Sequence, residues 1–283
     1  MLNTWYFNLA VYLILYVLFT QFYKIATKNS KNDGALTILL QLLGGICVLI
    51  FMPFFKMQFP TNISTYIFLG IAIIFYAIAD RVNTTARRGL EVSLYSILGQ
   101  LSTVFVIAWG ILFFKEEIII KKLFGAFLIL LGNVIVLYKK GKFEWNKYII
   151  FSLLGNLAMS IGISVDVGIS DQFNMPIYVA LTLIVPALLI LLVERIKIKD
   201  VVSEFKNGNK KAILFVGISW GIMIIEMLRT YQFGTVTTIA PLLAITTILN
   251  VFVAYFMLKE KDSLWKKVLS ALIVLIGIIL IKI

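Results

Sequence analysis

The stretch FFKEEIIIKKLFGAFLILLGNVIVL (113–137) recurs near the end of the chain as MLKEKDSLWKKVLSALIVLIGIILI (257–281). Each copy places a charged turn in front of a long apolar run. Lys115-Glu116 matches Lys259-Glu260 at an offset of 144 residues. After one inserted residue, Lys121-Lys122 matches Lys266-Lys267 and Gly132 matches Gly277 at an offset of 145. Internal repeats are a frequent feature of membrane transport proteins, so this recurrence indicates that the chain consists of two similar halves.

Apolar runs long enough to cross a bilayer repeat along the whole chain. Hydrophobic residues make up 61% of the 283 residues and charged residues only 14%. A helix needs about 20 apolar residues to span the hydrocarbon core. We number the ten candidate runs as segments 1 to 10: residues 5–23, 34–55, 63–82, 91–114, 118–138, 147–169, 175–193, 211–231, 236–258 and 264–282. The sequence therefore predicts an all-α integral membrane protein with ten transmembrane helices.

Several missing residue types exclude whole classes of function. The chain has no histidine, and its single cysteine, Cys47, lies inside an apolar run. Zinc sites made of Cys and His, haem ligation by His and His-based catalytic triads are therefore excluded. No glycine-rich phosphate loop is present, which excludes a self-contained ATP-driven pump. We expect no enzyme activity, since the rival class, a membrane-embedded transferase or protease, would need a nucleophile or a metal site.

The positive charge of the chain follows the membrane pattern. The net charge of +12 comes from 26 Lys and Arg against 14 Asp and Glu, and 20 of those basic residues lie in or beside the connections that follow odd-numbered segments. Basic residues accumulate on the cytoplasmic side of membrane proteins. The odd connections are therefore predicted to be cytoplasmic, which places both termini outside, and no nucleic-acid partner is expected.

The repeat also predicts how the two halves are related. Each half contains five segments, within residues 1–139 and 147–283. Because five is odd, the second half enters the membrane from the opposite side. The halves should then be related by an axis in the membrane plane, as inverted repeats are.

The chain resembles the EamA-type proteins of the drug/metabolite transporter (DMT) superfamily. The resemblance lies in the two five-segment repeats, each of which has a Lys-Glu at the end of a small-residue-rich helix and then a closing helix that contains glycine. The resemblance covers nearly the whole chain. It implies a secondary transporter with no bound cofactor, whose central cavity is lined mainly by segments 1, 3, 4, 6, 8 and 9. Many members of that family look cytoplasmic at both termini, opposite to the charge count here, so the absolute orientation stays open.

Ionisable side chains inside apolar segments are costly unless they are paired or hydrated, which makes them candidates for gating or coupling. Asp166 lies late in segment 6, and Glu226 and Arg229 lie late in segment 8, at a similar expected depth. Glu226 and Arg229 share a helix face, so Arg229 could exchange between Glu226 and Asp166 and change how tightly each holds a proton. The alternative is that these charges are interfacial or salt-bridged for assembly.

A second charged group is expected near the opposite membrane face. Asp80 and Arg81 lie late in segment 3, and Glu91 begins segment 4. One polar cluster at each face is what a two-gated carrier requires. The predicted gating or coupling residues are therefore Asp80, Asp166, Glu226 and Arg229.

Aromatic and amide side chains between these charges are the candidates for substrate binding. Tyr12 and Tyr16 are four residues apart and therefore share one helix face. The predicted substrate-binding residues are Tyr12, Tyr16, Tyr76, Tyr95, Gln100, Asn156, Trp220 and Asn250. Each of them could also serve packing alone, because membrane bundles use amides and hydroxyls as bonds between helices. Together they suit an amphipathic or zwitterionic solute.

These observations predict a secondary transporter of a small organic metabolite, such as an amino acid or an amine, in the plasma membrane. It is expected to act as an exporter or a facilitator, and the charged residues offer a route to proton coupling. The alternatives are a carrier of sugar phosphates, nucleotide sugars or lipid-linked solutes, and a channel or scramblase. The expected partners are a small-molecule substrate, the lipid bilayer and a proton. Substrate, direction, coupling ion and the choice between monomer and homodimer stay open.

Overall fold

A computed structural model describes residues 5–113, 119–139, 142–143, 145–233 and 236–282. These residues are almost entirely helical. The helices are α1 (Trp5–Lys28), α2 (Asp33–Leu49), α3 (Ile63–Gly89), α4 (Val92–Gly99), α5 (Leu101–Phe113), α6 (Ile120–Leu137), α7 (Lys147–Ile169), α8 (Met175–Val193), α9 (Ile198–Asn207), α10 (Lys210–Phe233), α11 (Val236–Met257) and α12 (Leu264–Lys282). A two-residue strand pair, β1 (Tyr138–Lys139) and β2 (Lys142–Phe143), joins α6 to α7.

The predicted apolar segments are helices in the structure. Within the described residues, eight helical spans are long and apolar enough to cross a membrane, and α4 with α5 supplies one of them. Two further apolar helices are shorter: α2 (Asp33–Leu49) and the described apolar part of α11, Ile245–Met257. The all-helical membrane class is therefore confirmed, and the full count of ten spans stays a prediction.

The outer surface of the bundle is apolar. Large hydrophobic side chains are among the most exposed, including Trp265 at 84%, Ile120 at 82% and Val193 at 78%. Many polar side chains are instead fully buried, for example Asn250 and Gln41. This inverted distribution fits a protein whose solvent is lipid.

The main helix contacts join the first half of the chain to the second. The most extensive are those of α3 with α7, α6 with α12, α1 with α10 and α2 with α8. By segment order, α1, α2, α3 and α6 of the first half correspond to α7, α8, α10 and α12 of the second half. Under this correspondence the α3–α7 contact matches the α10–α1 contact. The α2–α8 and α6–α12 contacts each join a helix to its own counterpart. The main contacts are therefore matched between the two halves, while the inverted arrangement of the halves stays a prediction.

Glycines allow the closest of these crossings. A Cβ added at Gly125 would lie 2.5 Å from the Gly277 carbonyl oxygen, and one added at Gly277 would lie 2.6 Å from the Gly125 oxygen. Where α2 meets α10, a Cβ at Gly44 would lie 2.9 Å from the Gly217 carbonyl oxygen, and one at Gly221 would lie 2.7 Å from the Gly44 oxygen. Small residues at such points let helix backbones approach each other in a bilayer.

Segment 4 is interrupted in the structure, whereas the sequence predicted one continuous helix. The break lies at Gln100, between α4 and α5. Two side chains compensate for it, because Asn156 Nδ2 donates to the Leu98 carbonyl at 3.0 Å and Ser102 Oγ donates to the Gly99 carbonyl at 2.8 Å. Free carbonyls in an apolar bundle need such partners.

The connections that follow odd-numbered segments lie at one end of the bundle. Arg88 Nη1 lies 2.8 Å from Asp33 Oδ1 and joins the ends of α3 and α2. Glu204 of α9 accepts the backbone N–H groups of Lys31 and Asn32 at 3.0 and 2.8 Å. We call this end the odd face, and helix α9, which the sequence did not predict, lies on it.

The connections that follow even-numbered segments lie at the other end, which we call the even face. Gln58 Nε2 donates to the Asp171 carbonyl at 2.7 Å, and the Asn174 N–H donates to the Gln58 carbonyl at 2.8 Å. These bonds tie the α2–α3 connection to the α7–α8 connection. The described connections thus alternate between two ends, as consecutive membrane spans do.

Candidate functional site

An arginine held among aromatic rings lies near the odd face. The Arg87 guanidinium carbon is 4.2 Å from the ring centroid of Tyr95, 4.7 Å from that of Tyr23 and 5.6 Å from that of Phe19. We call these four residues the arginine cluster; they come from α1, α3 and α4. A guanidinium over an aromatic face is stabilised by the ring quadrupole.

The arginine cluster has an unused hydrogen-bond donor. The Arg87 Nε–H is buried and has no acceptor among the described residues. Burial of an unpaired donor costs about 1–3 kcal/mol, so a group that supplied an acceptor there would be favoured. Asp80, two helical turns earlier on α3, interacts electrostatically with Arg87 and accepts a hydrogen bond from Gln41 Nε2 at 2.8 Å.

The predicted aromatic residues of α1 and α10 continue from this cluster. Tyr12 and Tyr16 stack with ring centroids 5.5 Å apart. Trp220 of α10 lies against Phe19 at 5.5 Å and Tyr23 at 5.7 Å. An aromatic strip therefore runs along the interface between α1 and α10.

A buried polar group lies beside this strip, between α1 and α11. Asn250 Oδ1 accepts Thr20 Oγ1 at 2.5 Å and Gln21 Nε2 at 3.3 Å. Asn250 Nδ2 and Gln21 Oε1 are buried without a partner among the described residues. The group therefore offers one spare donor and one spare acceptor.

Asp166 lies toward the even face, where it is held by two tyrosines. Tyr76 of α3 donates to Asp166 Oδ2 at 2.5 Å, and Tyr178 of α8 donates to Asp166 Oδ1. Gly162 leaves room for the Tyr76 ring, since a Cβ there would lie 2.6 Å from that ring. The sequence suggested a pairing of Asp166 with Arg229; the structure gives both carboxylate oxygens a tyrosine hydroxyl instead.

Arg229 and Glu226 lie together late in α10. The Arg229 guanidinium is 5.5 Å from the Phe55 ring centroid and interacts electrostatically with Glu226. Arg229 also lines a cavity of about 290 Å³ at the even face, whose other walls include Phe55, Phe173 and Met175. The predicted proximity of Glu226 and Arg229 is therefore present, beside an open pocket.

The expected single cluster of Asp80, Arg81 and Glu91 does not form. Arg81 Nε lies 2.6 Å from Glu194 Oε1. Glu91 Oε2 lies 2.6 Å from Nζ of Lys267, whose side chain is 2% exposed. The three side chains have separate partners because α3 continues to Gly89, so that Asp80 faces the bundle interior and Glu91 lies beyond the helix end.

The glutamate of the second repeat copy caps a helix of the first half. Glu260 accepts the N–H groups of Val92 and Ser93 at 2.6 and 3.0 Å, and Ser93 Oγ donates to it at 2.5 Å. A carboxylate at a helix N-terminus satisfies free N–H groups and opposes the helix dipole. The matching Glu116 lies outside the described residues.

The remaining predicted site residues are bonded between helices. Gln100 Nε2 donates to Thr247 Oγ1 at 2.9 Å, and Asn156 supports the α4–α5 break. Sequence reasoning missed Arg87, because segment 3 was ended at residue 82. The helical spacing of Asp80, Thr84 and Arg87 was the signal that could have placed Arg87 on the inner face of a longer helix.

No group of three or more His, Cys, Asp or Glu side chains is placed to hold a metal ion within the described ranges. Several buried polar atoms, such as Asn250 Nδ2 and Gln21 Oε1, have no hydrogen-bond partner among these residues.

These features define a polytopic helical membrane protein with a polar and aromatic interior. Residues 3–138 match the model of the EamA-like transporter family, which belongs to the DMT superfamily. The match confirms the resemblance drawn from the sequence over residues 3–138, and members of that family are transporters. A search of curated proteins found no match.

The chain is similar in fold to solved structures over nearly its whole length. A chain titled "Crystal structure of protein" aligns with 97% of this chain and 94% of its own length, with a TM-score of 0.56 and 11% identity. At that identity the likeness concerns the fold alone. It covers both halves.

Proposed function

We propose that this protein is a secondary carrier that moves a small amphipathic organic solute across the plasma membrane by alternating access. Its ten spans would form two inverted halves, residues 1–139 and 147–283. The observation that carries this proposal is the paired packing of helices across the halves, with α3 on α7 and α10 on α1. The family match over residues 3–138 supports it, because it ends where the first half ends.

The solute would bind along the interior between α1, α4, α10 and α11. Helices interrupted near the middle of the membrane mark binding sites in many transporters, and the break at Gln100 lies between two short helices. The spare donor of Asn250 and the spare acceptor of Gln21 lie beside the aromatic strip. A solute with both polar functions and an apolar body would match these groups.

Asp166 and Glu226 are the proposed coupling groups. Both lie toward the even face, and Asp166 has hydroxyl partners that can either donate to a carboxylate or accept from a carboxylic acid. Binding and release of a proton there would change the bonds between α3, α7 and α8. This gives a route from protonation to movement of the helices that close the even face.

The test is solute flux in proteoliposomes with and without a pH gradient. A metabolite-resolved comparison of cells with and without the protein first supplies the solute. We expect the gradient to accelerate wild-type flux, and Asp166→Asn and Glu226→Gln to remove that acceleration. Asp171→Asn is the matched control, since Asp171 is exposed at the even face. Gradient-dependent flux that survives in both variants would remove these residues from coupling, and flux that never saturates would favour a channel.

A further inference from the structure

Helix α9 is short and lies in the basic connection between α8 and α10, at the odd face. It packs mainly against α2. We propose that α9 lies in the membrane surface and binds the headgroups of anionic phospholipids through Lys199 and Lys206. This proposal concerns the lipid partner of the protein and does not depend on the proposed transport function.

One side of α9 is fixed to the protein. Val201 and Glu204 are three residues apart, so they share a helix face, and both are buried. Val201 belongs to the same buried apolar cluster as Ala35 of α2. Glu204 accepts the backbone N–H groups of Lys31 and Asn32 at 3.0 and 2.8 Å. These contacts fix the rotation of α9 about its axis and so define which of its side chains face outward.

A second side of α9 is apolar and faces outward. Ile198 and Val202 are four residues apart on one helix face, and they are 72% and 44% exposed. The end of α8 leads into this region with two exposed apolar residues, Leu192 and Val193. Contact with water would leave this apolar surface unburied, whereas the acyl boundary of a bilayer would cover it. The exposed apolar side of α9 is therefore suited to contact with lipid.

Lysines border this apolar side. Lys199 lies three residues before Val202 and Lys206 lies four residues after it, so both are its neighbours on the helix surface. Both lysines are exposed. A further side of the helix is polar, where Asn207 Nδ2 donates to Ser203 Oγ at 2.9 Å. An apolar stripe with lysines beside it is typical of helices that lie in the membrane interface, where the ammonium groups meet lipid phosphates.

The charge around α9 favours anionic over zwitterionic lipid. The exposed basic residues from the end of α8 to the start of α10 are Arg195, Lys197, Lys199, Lys206, Lys210 and Lys211. Of the acidic residues in this stretch, Glu194 pairs with Arg81 and Glu204 is bonded to backbone N–H groups, which leaves the half-buried Asp200. Basic clusters of this size beside a membrane helix attract anionic headgroups. The predicted cytoplasmic position of the odd face agrees with this, because the cytoplasmic leaflet carries negative charge.

The first experiment determines how α9 lies on the bilayer. The full chain, with Cys47 replaced, is purified into nanodiscs and labelled with bimane at a cysteine that replaces either Val202 or Asn207. We expect phosphatidylcholine with brominated acyl chains to quench the label at 202, and iodide in the water to quench the label at 207. Quenching at 202 by iodide and not by brominated lipid would place this side of α9 in water and overturn the proposal.

The second experiment measures lipid preference with the label at 202. In an equimolar mixture, either phosphatidylglycerol or phosphatidylcholine is the brominated lipid, and we expect phosphatidylglycerol to quench more strongly. A lysine near an anionic surface strengthens attraction about fivefold. The double variant Lys199→Gln, Lys206→Gln should therefore lower the preference about fivefold or more. Lys199→Arg, Lys206→Arg keeps the charges and should keep the preference.

The matched control is Lys259→Gln, Lys261→Gln, which removes two exposed lysines from the α11–α12 connection at the same face. It should change the preference by less than about twofold, since the Debye length at physiological salt is about 8 Å and distant charges are screened. An equal loss in the control would show a general attraction of the odd face and overturn a site on α9. An unchanged preference in the α9 glutamine variant, or an equal loss in its arginine variant, would also contradict the proposal.

Discussion

Replacement of Gly125 by alanine should loosen the contact between α6 and α12. A Cβ at Gly125 would lie 2.5 Å from the Gly277 carbonyl oxygen and 2.6 Å from Ile281 Cγ1. Carbon–oxygen contacts normally lie at about 3.3–3.6 Å, so the helices must separate by close to 1 Å. A change of side-chain rotamer cannot relieve the clash, because the nearest atom belongs to the backbone.

Gly70→Ala provides the matched comparison for this perturbation. A Cβ at Gly70 of α3 would meet nothing within 4 Å. Both substitutions gain about 1 kcal/mol of helix propensity, so their difference isolates the overpacking cost of about 1–3 kcal/mol. We expect Gly125→Ala to be less stable than Gly70→Ala by that amount in equilibrium unfolding from mixed micelles.

The double variant Gly125→Ala, Gly277→Ala sharpens the test. The two methyl groups push the same pair of helices apart, so their combined cost should be smaller than the sum of the single costs. Equal stability of Gly125→Ala and Gly70→Ala would show that α6 and α12 do not approach through these glycines, and would refute the reasoning.

Two further predictions concern the odd face. Replacing Glu260 by Gln removes the charged cap from Val92 and Ser93 and should lower the free energy of unfolding by about 1–2 kcal/mol. The control Glu194→Gln removes a partly exposed ion pair and should change that free energy by less than about 1 kcal/mol. A larger effect of Glu194→Gln than of Glu260→Gln would contradict the capping role of Glu260. Cysteines at the exposed positions Asn207 and Thr61, probed in intact cells after Cys47 is replaced, should be labelled by an impermeant thiol reagent at 61 and not at 207 if the odd face is cytoplasmic. The reverse labelling would invert the orientation.

The positions of the spans could be predicted because a bilayer requires long apolar runs. Residues 147–169 and 175–193 are helices α7 and α8 with the predicted bounds. Helix α9 was missed because it is short and its charged residues lie in a basic connection. The C-terminal end of α3 was harder to place, since its last turns are polar although they pack inside the protein.

The polar residues of the interior could be found from the sequence, but their partners could not. Asp166, Gln100 and Asn250 were identified because each interrupts an apolar segment. Their actual partners come from helices distant in the sequence, such as Tyr76 and Tyr178 for Asp166. Such pairings depend on how helices cross, which no local pattern contains.

In the part of the chain that the structure describes, the two faces of the bundle differ in how tightly they are closed, and this difference relates the structure to one state of the proposed transport cycle. At the odd face, Glu260 of the α11–α12 connection caps α4, and Lys267 of α12 pairs with Glu91 at the start of α4. Separation of these elements would leave Lys267, whose side chain is 2% exposed, without its partner Glu91, whose side chain is 36% exposed. At the even face, a cavity of about 290 Å³ lies beside Arg229. For the proposed carrier, the structure therefore corresponds to the state closed at the odd face. In the state open at the odd face, Lys267 would need water or another partner in place of Glu91. Methionine at 267 has no charge to compensate, so Lys267→Met should shift the carrier toward that state. The measurement is the rate at which a thiol reagent labels a cysteine placed at Thr20, which should increase.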